Sequence, residues 1–208
     1  MSDRIHRAVD EYYTRKIHRF GAVPRGVDWN DASSQALRFE KLAGLFESRT
    51  RFSVTDFGCG YGALYRHLDG KRKRFDYRGI DVSSAMVAAA KKRWADRSNC
   101  RFVTGAAHNL RRTDFTVASG AFNVKLRFGT GEWEKYVLSV LRQFNRVSRR
   151  GFGFNLLTRY SDPAKRRDDL YYADPCFYFD FCKKQFSKKV ALLHDYPLYE
   201  FTVIVRKD

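Results

Sequence analysis

Long apolar runs are missing from this 208-residue sequence, the longest strictly apolar one being Ala85 to Ala90. A bilayer-spanning helix needs ~18 or more such residues, so no transmembrane segment is expected. The four cysteines, Cys59, Cys100, Cys176 and Cys182, form no C-x-x-C pair. That spacing argues against a zinc site and a disulfide framework, and no metal is expected. Proline is scarce, and Pro24, Pro163, Pro175 and Pro197 each suit a loop or an element boundary. Neither an internal repeat nor a low-complexity linker is visible. Met1-Ser2-Asp3-Arg4 lacks the apolar core of a signal peptide, so a reduced, cytoplasmic setting is the expectation.

Acidic residues are also few: 23 Asp and Glu face 40 Lys and Arg, for a net charge of +17. Such a field attracts anions: nucleic acid, phosphorylated or carboxylated metabolites, or an anionic membrane surface. The clusters are Lys71-Arg72-Lys73-Arg74, Arg149-Arg150, Lys165-Arg166-Arg167, and Lys183-Lys184 with Lys188-Lys189. They fall on separate loops and helices, as a solvated surface would also arrange them. What the sequence does have is core material, with 44% hydrophobic and 16% aromatic residues. That composition excludes disorder as the main state. The length suits a single domain, residues 1–208.

Hydrophobic periodicity divides that domain into a helical cap or lid, 1–50, and a core, 51–208. Asp3 to Phe20 and Ala32 to Phe46 read as helices separated by a break at Gly21 to Asn30. From Arg51 the period changes. Strands are expected at 52–57, 75–81, 101–104, 115–119, 152–157, 190–194 and 201–205. Helices are expected around 64–68, 83–94, 133–147 and 177–186, with Ser83 or Ser84 as an N-cap. Repeated strand–helix units imply an α/β fold with a parallel sheet covered on both faces, and the closing hairpin adds one antiparallel strand.

The first strand runs into Asp56-Phe57-Gly58-Cys59-Gly60-Tyr61-Gly62 and then a helix. Glycines let a backbone approach a ligand closely, and a helix N-terminus offers unpaired N–H groups. The next strand ends in Gly79-Ile80-Asp81-Val82-Ser83, where a carboxylate can accept both hydroxyls of a ribose. A glycine turn followed by that acid is a nucleoside-binding pattern. Gly58-x-Gly60-x-x-Ala63 also satisfies a relaxed dinucleotide fingerprint. Against a nicotinamide cofactor stand Asp56, placed to hold an ammonium, and a last third that completes one sheet instead of a second domain.

On these two motifs the sequence resembles the class I S-adenosylmethionine-dependent methyltransferases of small bacterial type, and distantly the quinone-biosynthesis O-methyltransferases. Asp56 to Gly62 looks like the family's first motif, and Gly79 to Met86 like its second. The resemblance covers roughly residues 35–208. It implies a Rossmann-like seven-stranded sheet, order 3-2-1-4-5-7-6, with the last strand antiparallel and a helical lid at the N-terminus. It also implies S-adenosyl-L-methionine as cofactor, bound by Asp56, Gly58, Cys59, Gly60, Asp81, Val82 and Met86. Arg38, on the helix before the first strand, matches the arginine that meets the cofactor carboxylate in the quinone branch. The family's acid after the third strand is missing from Gly105-Ala106-Ala107-His108, leaving the Ala106 and Ala107 backbone or His108 to face adenine. Ser119, after the fourth strand, falls where the family lines the methyl donor. Ala118-Ser119-Gly120-Ala121-Phe122-Asn123 is not the Asn-Pro-Pro-Tyr motif of many amino-group methyltransferases.

Several further residues complete the expected site. Tyr12-Tyr13 and Gly26-Val27-Asp28-Trp29-Asn30 form a candidate lid, whose aromatics, Tyr13 and Trp29, can cover a sulfonium. His108, His194 and Tyr160 are candidate bases at the sheet's carboxyl edge. Asn123, Arg159, Tyr171 and Tyr172 are placed to meet the acceptor, with Arg159 as an anion clamp. The function read from these residues is methyl transfer to a small or medium-sized anionic acceptor, with oxygen favoured. The rival readings are an RNA or DNA methyltransferase, a non-catalytic nucleoside or partner binder, and a dehydrogenase. Oligomeric state is not encoded in any of these features.

Overall fold

The computed structural model describes residues 2–29, 31–46, 50–71 and 74–207. Asn30 of the expected lid, and Arg72 and Lys73 of the first basic cluster, lie outside the described residues. The strands are β1 (Arg51–Phe57), β2 (Arg74–Asp81), β3 (Cys100–Thr104), β4 (Thr113–Ala118), β5 (Ser148–Thr158), β6 (Tyr172–Ala173), β7 (Lys189–Leu193) and β8 (Glu200–Arg206). They form one sheet in the order β3-β2-β1-β4-β5-β8-β7, with β6 pairing β5 off this path. β1 to β5 run parallel, and β8 lies antiparallel to both β5 and β7. This is the expected order with one extra strand. β6 has two residues, too few to show a period.

Alternation along each strand fixes what every face buries. In β1 and β2, Phe52 and Phe75 are register partners whose rings stack on one face. That face is covered by α2 (Ala32–Ala43), α3 (Ala63–Gly70) and α4 (Ser84–Arg93), through Phe39, Leu64, Tyr65, Val87 and Ala90. The opposite face carries Phe152 and Phe154 under α5 (Thr130–Val147) and α6 (Pro175–Gln185). α5 presents Val137, Val140, Leu141 and Phe144 at helical spacing, all of them buried.

Two features of the N-terminal third bear on the site. α2 is a sheet-covering helix: Phe39 and Ala43 sit in the same core as Phe46, Phe52 and Phe115. The expected cap therefore reduces to α1 (Ser2–Phe20) and a single 3-10 turn, Pro24–Val27. The β3–β4 connection holds another 3-10 turn, Ala107–Asn109, and no helix.

Phe152 is fully buried against the rings of Phe144, Phe154 and Phe186. Phe152→Ala should cost about 3–5 kcal/mol of stability. Urea unfolding should show a lower midpoint with an unchanged slope.

Candidate active site

The end of β1 turns through Gly58, Gly60 and Gly62, with φ of +73°, +52° and +81°. Side chains rarely adopt this left-handed backbone, which is why glycine occupies it. At Gly58 an added Cβ would lie 2.6 Å from Ala121 Cβ, so the turn also packs directly on the loop after β4. Asp81, at the end of β2, holds the turn in place. Its carboxylate accepts the Gly60 N–H at 2.8 Å and the Ser83 N–H at 2.9 Å. Ser83 in turn caps α4 by accepting the Met86 N–H at 3.3 Å. Glycine turn, strand end and helix start are thus joined through one carboxylate.

α1 crosses the carboxyl ends of the strands above this junction. The Thr14 hydroxyl is 2.8 Å from that of Ser83, and it donates to Asp10 at 3.0 Å. Ile5 is buried in the core beside Trp133. Val27, in the 3-10 turn, reaches within 3.1 Å of where a Gly60 Cβ would stand. The result is a roofed cavity with the glycine turn and Asp81 as floor and α1 and residues 27–29 as ceiling.

Burial sets the electrostatics of the floor. Asp56 is buried and accepts the Tyr77 hydroxyl at 2.5 Å. Desolvation pushes its carboxyl pKa up to about 7, against the opposing pull of that hydrogen bond. Desolvation likewise raises Asp81 to about 6, although its backbone hydrogen bonds favour the ionised form. Burial also holds the Cys59 thiol well above its usual range, so it is a packing residue and no nucleophile.

Most of the residues expected at the cofactor meet at this cavity. Asp56, Gly58, Cys59, Gly60, Asp81, Val82, Met86 and Ser119 line it from the sheet side, and Tyr13 and Trp29 from the roof. Three expected cofactor residues do not. Ala106 is buried in its own turn, with its N–H bonded to Asn109, and Gly105 faces the cavity in place of Ala106 and Ala107. Arg38 is buried behind Trp29: its Nε donates to Glu200 at 2.7 Å, and its guanidinium stacks 4.0 Å from the Trp29 ring centroid.

The expected catalytic and acceptor residues all lie away from the cavity. His108 is exposed on the 3-10 turn after β3, while His194 and Tyr160 pair ring to ring at the surface. Asn123 is buried as a clamp, donating to Glu200 and accepting the Leu157 N–H. Arg159 is paired with Asp174 at 2.6 Å. The hydroxyl of the buried Tyr171 meets those of Tyr178 and Glu134's carboxylate, and the Tyr172 hydroxyl accepts the Arg167 N–H. Asn123, Arg159, Tyr171 and Tyr172 are thus each engaged with other protein groups.

Sequence reading missed His6, Gln35, Tyr61, Trp133 and Tyr136, which also line the cavity. His6 and Tyr136 meet edge to face at 5.7 Å, and His6 Nε2 is buried with no hydrogen-bond partner. Burial lowers the His6 pKa, keeping the ring neutral. Tyr136 does show in the sequence as part of the apolar stripe of α5, but nothing along the chain marks His6. Among the described residues, no group of His, Cys, Asp or Glu is placed to hold a metal ion. Among the same residues, no helix is long and apolar enough to cross a membrane.

A cleft at the carboxyl edge of such a sheet is where Rossmann-like folds hold their nucleotide cofactors. Comparison with known proteins narrows this. The family described as "Methyltransferase domain" matches residues 54–151. The chain is 56% identical over 156 residues to the Mycobacterium tuberculosis protein named "Putative methyltransferase Rv1506c", covering 75% of this chain and 93% of that one. The chain belongs to this methyltransferase family. Its fold is similar to that of magnesium protoporphyrin IX methyltransferase from Synechocystis PCC 6803 with bound SAH, at TM-score 0.71 and 12% identity, covering 97% of this chain and 99% of that chain. It is also similar to the N-terminal domain of EvdMO1, solved in the presence of SAH and D-fucose, at TM-score 0.61 and 16% identity, covering 95% and 96%. The family membership sets the dehydrogenase and non-catalytic readings aside.

Trp29 rests against Gly120, where φ is +71° and an added Cβ would fall 2.3 Å from the indole ring. Gly120→Ala should therefore expel the indole and shift its fluorescence to longer wavelength. A spectrum unchanged from that of the parent, with Trp29→Phe as the reference for its contribution, would show that Trp29 does not rest there.

Proposed function

We propose that this protein is an S-adenosyl-L-methionine-dependent methyltransferase acting on a small or medium-sized anionic acceptor at an oxygen atom. The observation that carries the cofactor is the joining of Gly60 to Asp81 inside a roofed cavity. The residues present fit the group. Asp81 offers a carboxylate where ribose hydroxyls would come, and the Gly58–Gly62 turn admits a close backbone approach. Asp56, buried below the turn, is placed for an ammonium. Val82 and Met86 offer apolar contact for adenine. His6, beside the turn after β3, supplies the hydrogen-bonding atom that the missing acid leaves vacant. Tyr13 and Trp29 close over the sulfonium as a lid with α1.

When bound, the cofactor supplies an electrophilic methyl group, whose C–S bond breaks as the acceptor's lone pair forms the new bond. The chain's own contribution is alignment and exclusion of water, for which precise positioning alone supplies ~7–11 kcal/mol of barrier reduction. Three observations support the acceptor. Trp29 stands over Gly120 in the lining of a partly enclosed cavity, which favours a small acceptor. A net charge of +17 attracts anions. His108, His194 and Tyr160 do not reach the cavity, and an acceptor already ionised at its attacking oxygen needs no base.

Asp81→Ala should abolish measurable binding of S-adenosylhomocysteine by calorimetry while leaving the thermal unfolding transition cooperative. Unchanged affinity would remove Asp81 from the site.

The raised Asp56 and Asp81 pKa values give a pH dependence with a definite sign. Unfolded aspartate titrates near ~3.9, so between about pH 4 and 7 the folded state holds more protons. Stability without ligand therefore falls as pH rises through that window. An ammonium at Asp56 and hydroxyls at Asp81 favour the ionised forms, so affinity should rise over the same window with release of protons. Calorimetry in two buffers of different ionisation enthalpy measures that release. Asp56→Asn should flatten the part of the dependence near pH 7.

A further inference from the structure

We propose that the arginine-bearing stretch of β1, β2 and β3, on the sheet face beside the short β3–β4 connection, binds the phosphate backbone of a nucleic acid strand, independently of the cofactor cleft. The inference begins with the short β3–β4 connection, which places a 3-10 turn where a crossover helix would cover the sheet. Strand alternation assigns Arg74, Asp76 and Arg78 of β2 to that face. Their register partners Arg51 and Arg101 bring further guanidinium groups from β1 and β3.

Arg78 stands at the centre of this face. It is partly buried, and its Nε is buried without a hydrogen-bond partner. Burial and the repulsion of Arg111 and Arg101 lower its pKa, so its charged neighbours are themselves cations. The acids on this face are Asp76 and Asp114. Asp114 is already engaged: it accepts the Ser53 N–H and hydroxyl, and the guanidinium groups of Arg149 and Arg150 lie 3.9 Å away. With Asp76 as the remaining acid beside Arg51, Arg74, Arg78 and Arg101, the band is, among the described residues, an arginine surface in excess of its acids.

Its dimensions suit a polyphosphate. Adjacent strands are ~4.8 Å apart, and Arg74 and Arg78 are separated by ~13 Å along β2. Phosphates follow one another every ~3.4 Å of axis along a nucleic acid strand, so several can be met at once. Planar guanidinium groups pair with phosphate oxygens in bidentate fashion. A bilayer fits less well. The large exposed apolar residues, Val23, Tyr160, Phe177 and Tyr199, lie outside these strands, so nothing on this face inserts. A flat headgroup plane also cannot follow the recess in which Arg78 lies. The face presents neither an aromatic platform nor a base-reading element, so recognition is of the backbone and independent of sequence.

The test uses the full chain and a fluorescein-labelled single-stranded 20-mer of uridine RNA, followed by anisotropy from 50 to 200 mM salt. The variant is Arg78→Gln/Arg101→Gln/Arg111→Gln. The charge-matched control is Lys183→Gln/Lys184→Gln/Lys188→Gln, on and after α6. The face variant should lose about tenfold or more in affinity, and its log–log salt slope should shallow by about one unit per residue. The control should change less than about threefold, its lysines meeting fewer phosphates. Both should keep the parent's unfolding midpoint and the parent's response to S-adenosylhomocysteine, whatever that response is. Equal losses in variant and control would overturn the proposal by showing only a diffuse charge effect. So would absence of RNA binding, or binding of phosphatidylserine vesicles through these arginines when RNA does not bind.

Discussion

The Asp81 carboxylate is the constraint on which the site depends. It is buried, and it accepts N–H groups from the turn after β1 and from the start of α4. Burying a carboxylate is unfavourable unless it is hydrogen-bonded, and here backbone groups supply the partners. Because those partners belong to two elements, any shift of the acid moves both the glycine turn and the cap of α4. The site's geometry is therefore fixed by the sheet before any ligand arrives, which is the condition for alignment to assist a reaction.

The roof is tied down more loosely than the floor. α1 meets the floor through the Thr14–Ser83 hydroxyl pair, and its Lys16 is 2.5 Å from Asp28 beyond the 3-10 turn. Partly exposed ion pairs of this kind contribute on the order of 0–1 kcal/mol. Asp28 also adopts φ of +62°, an unfavourable backbone for a residue other than glycine. Ile5, fully buried with Phe57, Ile80 and Trp133, anchors the start of α1 in the core, so the weakly tied part of the roof is the 3-10 turn and the residues after it.

What was legible in the sequence is what the chain encodes locally. The glycine turn, Asp81 and the Ser83 cap are read from residues within their own motifs, and repeated strand–helix units gave the parallel sheet, while the strand order came from the family resemblance. Residues whose roles are set by distant partners were not legible. Arg38 falls at the expected place on its helix, yet Glu200, 162 residues away, takes its guanidinium. Tyr171 reads as an acceptor contact and is buried against Tyr178. His6 sits in a polar helix with no motif around it, and only the passage of α1 over the strand ends brings it to the cavity. The arginine stretch of β1 to β3 was hidden for a similar reason: its residues are scattered in sequence and converge only through strand register.

The position of β8 has a consequence for how the chain reaches this form. The last strand, Glu200–Arg206, is an interior one, hydrogen-bonded to β5 on one side and β7 on the other. During synthesis the ribosome delivers it after the other strands of this sheet, so until then β5 carries an open, apolar edge. Long-range pairing of this kind is slow and leaves intermediates that associate with one another. The nascent sheet is therefore exposed to aggregation until β8 emerges, and Arg38 waits the same length of time for the Glu200 carboxylate that pairs with it.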